Sequence, residues 1–424
     1  MKSPLERLIV HETEAKNRES LNKYIFEKLK ETIDYTKENS RFYKDKLKDI
    51  NIDNIKTLKD FNSIPFTYPN EVAERPFDFL CVSQKYIKRI VTLKTSGTTS
   101  ADGKRIFFTE NDLNLTVNFF YEGFKAMVDE TDNVMIMMPG KTYGSVGDII
   151  KKSLDGLNVK SFIYGALKDC EDAGKFIENN NINSIVALPM QAMYLSKIKE
   201  DIFKKYIKKL MLSADYVPEV LIKRFKFKYN CKVFTHYGLT ETGYGLAVEC
   251  QQLDGYHIRE NDVYLEIIEP NTGKILQDDK LGEIVITTLN RQAMPLIRYR
   301  TGDYGAYKSD ACKCGTFLKT LIRSRGRINN KIFINHYNIH MSEFDEIIFQ
   351  YDSVLDYSIN IISEKTVNII IYILNDCNET SEKTKGLIEK ELYVKFNECI
   401  YFKIISEKKE NIILFANTMI KRTL

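Results

Sequence analysis

Short apolar runs that stop at small or polar residues mark the middle of the chain. Val134-Met-Ile-Met-Met138 ends at Pro139-Gly140. Asn183-Ser-Ile-Val-Ala-Leu188 ends at Pro189, and Lys209-Leu-Met-Leu212 ends at Ser213-Ala-Asp215. Runs of that length, bounded by breakers, predict buried strands. Stretches of helical length separate them. This βα alternation predicts a parallel sheet whose functional residues gather at the strand C-terminal ends. Upstream, residues 14–48 are charged with helical periodicity, and Arg89–Leu93 and Ile106–Thr109 each predict a strand. From about residue 262 the pattern becomes more β, with Val263–Ile268 and then Gly282–Thr288. After Gly326 a new unit begins. It holds a strand, a helix near 342–350, strands at 356–362 and 367–374, a charged helix near 381–397 and two last strands. The expected architecture is α/β: a large N-terminal domain with helix-flanked parallel sheet and a β-rich subdomain, then a small α+β domain. No repeat or low-complexity tract interrupts it.

Composition narrows the setting. The chain has 424 residues, which suits one large domain plus a smaller one. Its net charge of +4 argues against a dedicated nucleic-acid surface. The local clusters Lys204-Lys205, Lys208-Lys209 and Lys223–Lys228 read first as solvated faces, and second as an attraction for an anionic cosubstrate such as coenzyme A. The start lacks an apolar signal core and no apolar run would span a bilayer, so a cytoplasmic protein is expected. Eight cysteines in a chain this long do not suggest a disulfide scaffold, and clustered thiols in a reducing compartment suggest metal.

The richest chemistry lies in Thr95-Ser96-Gly97-Thr98-Thr99-Ser100-Ala101-Asp102-Gly103-Lys104-Arg105, between the two strands near residue 100. Such a loop offers backbone N–H groups, hydroxyl donors and a countercharge, the parts that hold a polyphosphate. Alone it fits a polar hairpin turn about as well, and it lacks the Gly-Lys-Ser/Thr that opens a P-loop helix. Two later segments change the balance: His236-Tyr-Gly-Leu-Thr240-Glu241-Thr-Gly243 and Pro295-Leu-Ile-Arg298-Tyr-Arg300-Thr-Gly-Asp303. With Gly326-Arg327-Ile-Asn329-Asn330-Lys331 they resemble, in order and separation, the adenylate-forming superfamily of acyl-CoA synthetases, luciferases and adenylation domains. The resemblance covers nearly the whole chain. Ser40-Arg-Phe-Tyr43-Lys, Ile64-Pro-Phe-Thr67 and Cys312-Lys-Cys314-Gly315 are similar to its phenylacetate–CoA ligase-like branch.

The resemblance implies a role for each matched residue. Ser96, Gly97, Thr98, Thr99 and Lys104 would hold the pyrophosphate part of ATP. Tyr237 would pack on adenine with Gly238 beside it, and Ser213, Ala214 and Asp215 would line the base. Thr240 would contact phosphate and Glu241 would hold Mg²⁺, a hard ion that prefers carboxylate oxygen. Asp303 would accept both ribose hydroxyls, and Arg327 would contact ribose or phosphate. By rough position, Tyr143, Tyr164, Met190, His236 and Tyr244 would line an acyl pocket suited to a flat apolar acid, although such aromatics also serve as plain core. The implied reaction is AMP-forming ligation of a carboxylic acid, through acyl-AMP, to coenzyme A. Residues 1–326 would form the ATP- and acyl-binding domain, and 327–424 a mobile lid hinged near Asn329.

A second cluster is built on cysteine. Cys250 and His257 follow the Glu241 loop, and Cys312 and Cys314 follow Asp303. Three thiols and one imidazole are a closed tetrahedral zinc set, with no open position for catalysis; free buried cysteines are also common, so plain packing is the alternative reading. Such a zinc would be structural and would tie the two loops. Cys81, Cys170, Cys231, Cys377 and Cys399 lack such partners and read as packing residues.

The chain departs from the family pattern at several points. Ser100 stands where Gly is usual, at a cost of roughly 1 kcal/mol if the position needs positive φ. Asn335-His336 replaces Arg-Gly after the hinge, and Met341–Asp345 replaces a Pro-x-x-Ile-Glu. If Arg422 aligns with the terminal Arg, Met419 occupies the place of the adenylating Lys, and Lys421 is the nearby substitute. The resemblance therefore leaves two rivals open: an adenylation-impaired nucleotide- or acyl-CoA-binding protein, and transfer to a carrier-protein or reductase thiol. It also leaves a homodimer open.

Overall fold

The computed structural model describes residues 4–6, 15–93, 103–323, 326–335, 337–373, 378–396 and 400–408. They divide into two compact units. The first comprises 1–131, 139–160 and 235–324; the second comprises 132–138, 161–234 and 325–424. Of the sequence-derived candidates, Ser96, Gly97, Thr98, Thr99, Ser100, His336, Cys377, Cys399, Met419, Lys421 and Arg422 lie outside the described residues.

The first unit opens on the helix Arg18–Asn39. Asn17 caps it by accepting from the Ser20 N–H at 2.9 Å, while Ser20 Oγ accepts from the Asn17 N–H at 3.2 Å. Leu21, Ile25, Leu29, Thr32, Ile33 and Thr36 form its buried stripe, at the three-to-four-residue spacing of one helical face. Ser40 ends this helix and caps the next, Arg41–Lys46. The two early phrases then show their use. Tyr43 accepts from the Ile297 N–H at 2.8 Å, and Thr67 Oγ1 donates to the Ile297 carbonyl at 2.7 Å. Thr67 also exchanges backbone hydrogen bonds with Arg298 and Arg300. Both phrases therefore buttress the segment that runs into Asp303.

Three sheet regions complete this unit. Ile87–Leu93 pairs antiparallel with Lys104–Thr109, so the second strand starts at Lys104, two residues before the sequence pattern placed it. Gly282–Thr288 lies between Val263–Ile268 and Tyr299–Gly305, all antiparallel. The end of Lys232–Tyr237 pairs with Ala247–Glu249, which pairs with Tyr256–Ile258, which pairs with Thr320–Leu321. Arg298 locks the central region. Its guanidinium forms a two-bond pair with Glu266 at 2.9 and 3.0 Å and donates to the Asn62 and Ile64 carbonyls, both at 2.6 Å.

The second unit holds the expected parallel strands: Asn133–Ile136, Ser184–Ala187 and Lys209–Leu212. The stretch after Gly326 is a hairpin, Lys331–Ile334 with Tyr337–His340, rather than a single strand. Asn335, with φ 44°, supplies the left-handed backbone that the turn requires. The antiparallel pair Val354–Ser363 and Thr366–Ile373 follows, with Tyr401–Lys408 running parallel to the latter. Glu346, in the helix Met341–Ile348, accepts from the Tyr216 hydroxyl and the Glu219 N–H, both at 2.7 Å, and from the Val220 N–H at 3.1 Å. A carboxylate thus sits at the start of helix Glu219–Lys228, where the helix dipole favours it. Arg224 reaches the Phe349 carbonyl at 2.7 Å and Asp352 at 2.9 Å, and Lys197 reaches the Val354 carbonyl. Among the described residues, no helix is long and apolar enough to cross a membrane.

Candidate active site

Lys104, Glu241 and Tyr299 meet in the interior of the first unit, although they lie far apart in sequence. Lys104 and Glu241 form a buried ion pair through Nζ and Oε1. The Tyr299 hydroxyl accepts from Lys104 Nζ at 2.8 Å and donates to Glu241 Oε1 at 2.8 Å. Burial alone would push the Glu241 carboxyl up. The charge and hydrogen bond of Lys104 and the phenol of Tyr299 outweigh that, so its pKa lies below the ordinary glutamate value. A buried carboxylate is thereby kept ionised.

The turn that carries Glu241 is tightly constrained. Thr240–Thr242 make one 3₁₀ turn, closed by Gly243 N–H to the Thr240 carbonyl at 3.0 Å and Tyr244 N–H to the Leu239 carbonyl at 2.7 Å. Gly243 and Tyr244 both have positive φ, 74° and 69°. A β-carbon on Gly238 would lie 2.0 Å from the Tyr244 carbonyl oxygen, so the chain folds back closer than any side chain would allow.

Tyr237 and Asp303 are also brought together. The Tyr237 hydroxyl donates to Asp303 Oδ2 at 2.9 Å, and the Asp303 N–H donates to Thr301 Oγ1 at 3.1 Å. The Tyr237 ring stacks on Tyr256, with centroids 6.3 Å apart. His236, the preceding residue, is buried beside Phe119 and Phe120, and burial pushes its pKa down to about 3. At neutral pH it is an uncharged imidazole.

The remaining acyl-pocket candidates have mixed surroundings. Tyr143 is exposed and its hydroxyl meets Glu110. Tyr244 is partly buried and stacks on Phe108, with centroids 5.6 Å apart and planes 13° from parallel. In the second unit, Tyr164 donates to Asp172 at 2.7 Å and packs edge-on against Phe176, while Met190 is core at the start of helix Pro189–Ile198. Ser213, Ala214 and Asp215 leave the strand Lys209–Leu212, and Ala214 has φ 67°. A left-handed alanine stores strain, a frequent mark of a working turn. Arg327 is exposed.

Cys250, His257, Cys312 and Cys314 converge, their ligand atoms all within 4.8 Å of one another. Cys250 Sγ lies 3.7 Å from Cys312 Sγ, and Cys314 Sγ lies 3.5 Å from His257 Nε2. A tetrahedron with Zn–S near 2.3 Å and Zn–N near 2.0 Å has edges of roughly 3.5 to 3.8 Å; these two separations match it, and the whole set lies within 4.8 Å. His257 Nδ1 lies 3.3 Å from Thr320 Oγ1, a partner that would orient the ring. Cys81, Cys170 and Cys231 are buried thiols, pushed up to about 12 by burial, which makes them poor nucleophiles.

The sequence motifs single out neither Tyr299, which lies inside the Pro295–Asp303 segment and joins Lys104 and Glu241, nor Arg291, which is buried.

No protein-family model matches the chain. Among characterised proteins it is similar to the phenylacetate-coenzyme A ligase of Thermus thermophilus, 26% identical over 357 residues, covering 81% of this chain and 78% of the relative. It is also similar to the Pseudomonas putida protein of the same name, 23% identical over 402 residues and covering 91% and 90%. Among solved structures, a 2-hydroxyisobutyryl-CoA ligase in its postadenylation state aligns with a TM-score of 0.82 at 18% identity, covering 96% of this chain and 90% of that one. An anthranilate CoA ligase aligns with a TM-score of 0.53 at 12% identity, covering 79% and 67%. At those identities the structural likeness speaks for the fold alone.

Proposed function

We propose that this chain, which belongs to the adenylate-forming superfamily in its phenylacetate–CoA ligase-like branch, is an AMP-forming acid–CoA ligase for an aryl or other apolar carboxylic acid. The observation that carries the reading is the buried Lys104–Glu241–Tyr299 cluster, set beside Tyr237–Asp303 in a chain with ligase relatives.

Two steps follow. A carboxylate oxygen of the acid attacks the α-phosphorus of ATP; the bond to the bridging oxygen breaks and pyrophosphate leaves. The coenzyme A thiol, losing its proton, then attacks the acyl carbon; the C–O bond to AMP breaks and AMP leaves. An anion attacks a polyanion in the first step, so the chain's task is to place opposite charge and exclude water. Lys104 supplies a buried cation. Glu241 is ionised and would hold Mg²⁺, which when bound offsets phosphate charge. Thr240 offers its hydroxyl to phosphate, and Asp303, oriented by Tyr237, accepts from the ribose hydroxyls. The 96–99 loop, Ser213–Asp215 and Arg327 are assigned to the nucleotide by resemblance alone, as are Tyr143, Tyr164, Met190, His236 and Tyr244 to the acid. Cys250, His257, Cys312 and Cys314 would hold a structural zinc ion. Residues 327–424 would act as a lid turning near Asn329, a motion that must release Glu346 from Tyr216, Glu219 and Val220. A cytoplasmic setting fits coenzyme A as cosubstrate.

The test is ATP–pyrophosphate exchange across a panel of acids, with product mass determined with and without coenzyme A. Acid-dependent exchange and an acyl-CoA product are expected. Acyl-AMP that reacts only with a carrier-protein or reductase thiol would replace the acceptor. Absence of exchange with every acid would leave a nucleotide- or acyl-CoA-binding protein as the reading. Lys421→Ala should slow acyl-AMP formation more than thioester formation from supplied acyl-AMP.

A further inference from the structure

Arg291 lies in the connection between Gly282–Thr288 and Tyr299–Gly305. It is only 8% exposed, and its Nε and Nη2 have no hydrogen-bond partner among the described residues. Burial pushes its pKa below the ordinary guanidinium value; Asp112 opposes that shift and the neighbouring Arg259 adds to it. A guanidinium this basic stays charged all the same. A buried cation with unsatisfied N–H groups costs folding energy, and an apolar side chain of similar volume at such a place usually gives a more stable protein. Packing alone therefore does not account for arginine here.

Its contacts give a better account. The guanidinium lies over the Phe108 ring, 4.2 Å from the centroid. Phe108 belongs to the strand that begins at Lys104, and Tyr244 stacks on the same ring. A β-carbon on Gly243 would lie 2.9 Å from Arg291 Nη1 and 2.6 Å from Thr116 Oγ1, so the end of the Glu241 turn rests against the guanidinium. The residues that follow Arg291 are anchored too: the Gln292 and Ala293 N–H groups donate to Asp112 at 2.8 and 3.0 Å. Arg291 thus touches the strand that carries Lys104 and the turn that carries Glu241, and its own segment leads to Tyr299.

We propose that Arg291 is a positioning residue for adenylation. It sets the Glu241 turn against the Lys104 strand through Phe108 and Gly243, and the protein keeps it at the expense of stability. This rests on the ligase reading. The test compares Arg291→Met, which keeps volume and removes charge, with Arg291→Lys, which keeps charge. Pyrophosphate exchange is measured against Mg²⁺ and ATP, and melting temperature is measured without ligand. Arg291→Met should melt at or above the parental temperature, yet exchange roughly 10- to 100-fold more slowly, the loss expected of a displaced site group. It should need more Mg²⁺ for half-maximal rate, and Arg291→Lys should recover most of the loss. Parental exchange and Mg²⁺ dependence in Arg291→Met overturn the inference. So does a lower melting temperature that Arg291→Lys fails to restore, which would mark Arg291 as an ordinary prop. A parent that shows no exchange with any acid overturns the ligase reading, and this inference with it.

Discussion

Tyr237 and Asp303, 66 residues apart, share a hydrogen bond of 2.9 Å from phenol to carboxylate. The bond fixes one oxygen of the carboxylate assigned to ribose. Asp303→Ala should weaken ATP and AMP alike, because the ribose is common to both. Tyr237→Phe removes one neutral-to-charged hydrogen bond and should cost about 1.5–3 kcal/mol of nucleotide affinity at most. Calorimetric titration with AMP measures both variants, and parental AMP affinity in Asp303→Ala would refute the ribose assignment.

The Lys104–Glu241 pair makes a prediction about pH. The folded pKa of Glu241 lies below its ordinary 4.5, so the pair's stabilisation is present above 4.5 and is lost as pH falls through the depressed value. Lys104→Met leaves a buried carboxylate without its cation, at a cost of about 3–5 kcal/mol. Burial then raises the pKa of Glu241, and the sign reverses: the variant loses stability as pH rises through the raised value. Melting temperature followed from pH 3 to 8 should slope upward for the parent in the acid range and downward for the variant. Parallel curves would mean that the two groups are not coupled.

His236 makes a second. Its folded pKa of about 3 lies below its ordinary 6.5, so the unfolded chain takes up a proton that the folded one refuses. Stability is full above 6.5 and falls between 6.5 and 3, by up to about 1.4 kcal/mol per pH unit. His236→Phe, which suits the neighbouring Phe119 and Phe120, should flatten that limb. NMR titration should show no imidazole shift between pH 5 and 8.

The Gly243 turn is a direct steric test. Gly243→Ala meets both a φ of 74° and a β-carbon 2.6 Å from Thr116 Oγ1. It should lower stability by about 1–3 kcal/mol and slow adenylation. Unchanged melting would show that the turn relaxes around a side chain.

Metal content tests the cysteine cluster. Purified protein should carry about one zinc per chain, seen by X-ray absorption as three sulfur ligands and one nitrogen. Cys312→Ser should lose the ion and melt earlier. Metal-replete protein without a Zn–S distance would end the assignment.

The sequence disclosed elements with uninterrupted patterns and left out what depends on distant partners. Val263–Ile268, Gly282–Thr288 and Lys209–Leu212 fold as strands over the residues that the apolar pattern marked. The pattern after Gly326 predicts a single strand, because the turn that makes it a hairpin rests on the conformation of one asparagine, Asn335. In the candidate site, the motifs single out Glu241, in the turn Thr240–Thr242, and Asp303, on the strand Tyr299–Gly305. They did not expose Tyr299 or Arg291. An aromatic on a strand and a charge in a connection have innocent local explanations, and only contacts with strand Lys104–Thr109 give them a task.

The thiol cluster has a topological side. Cys250 and Cys312 are 62 residues apart, and their sulfurs lie 3.7 Å from each other. An ion shared between them would close a ring around the strands Val263–Ile268, Gly282–Thr288 and Tyr299–Gly305, with Arg291 and Asp303 inside it. Closing a loop of that length restricts the unfolded chain by about 4 kcal/mol in the chain-entropy picture. Such an ion would act as a removable covalent-like staple. Chelation would lengthen the path back to the folded state even where every native contact is unaltered, and refolding rate with and without metal is where that difference would appear.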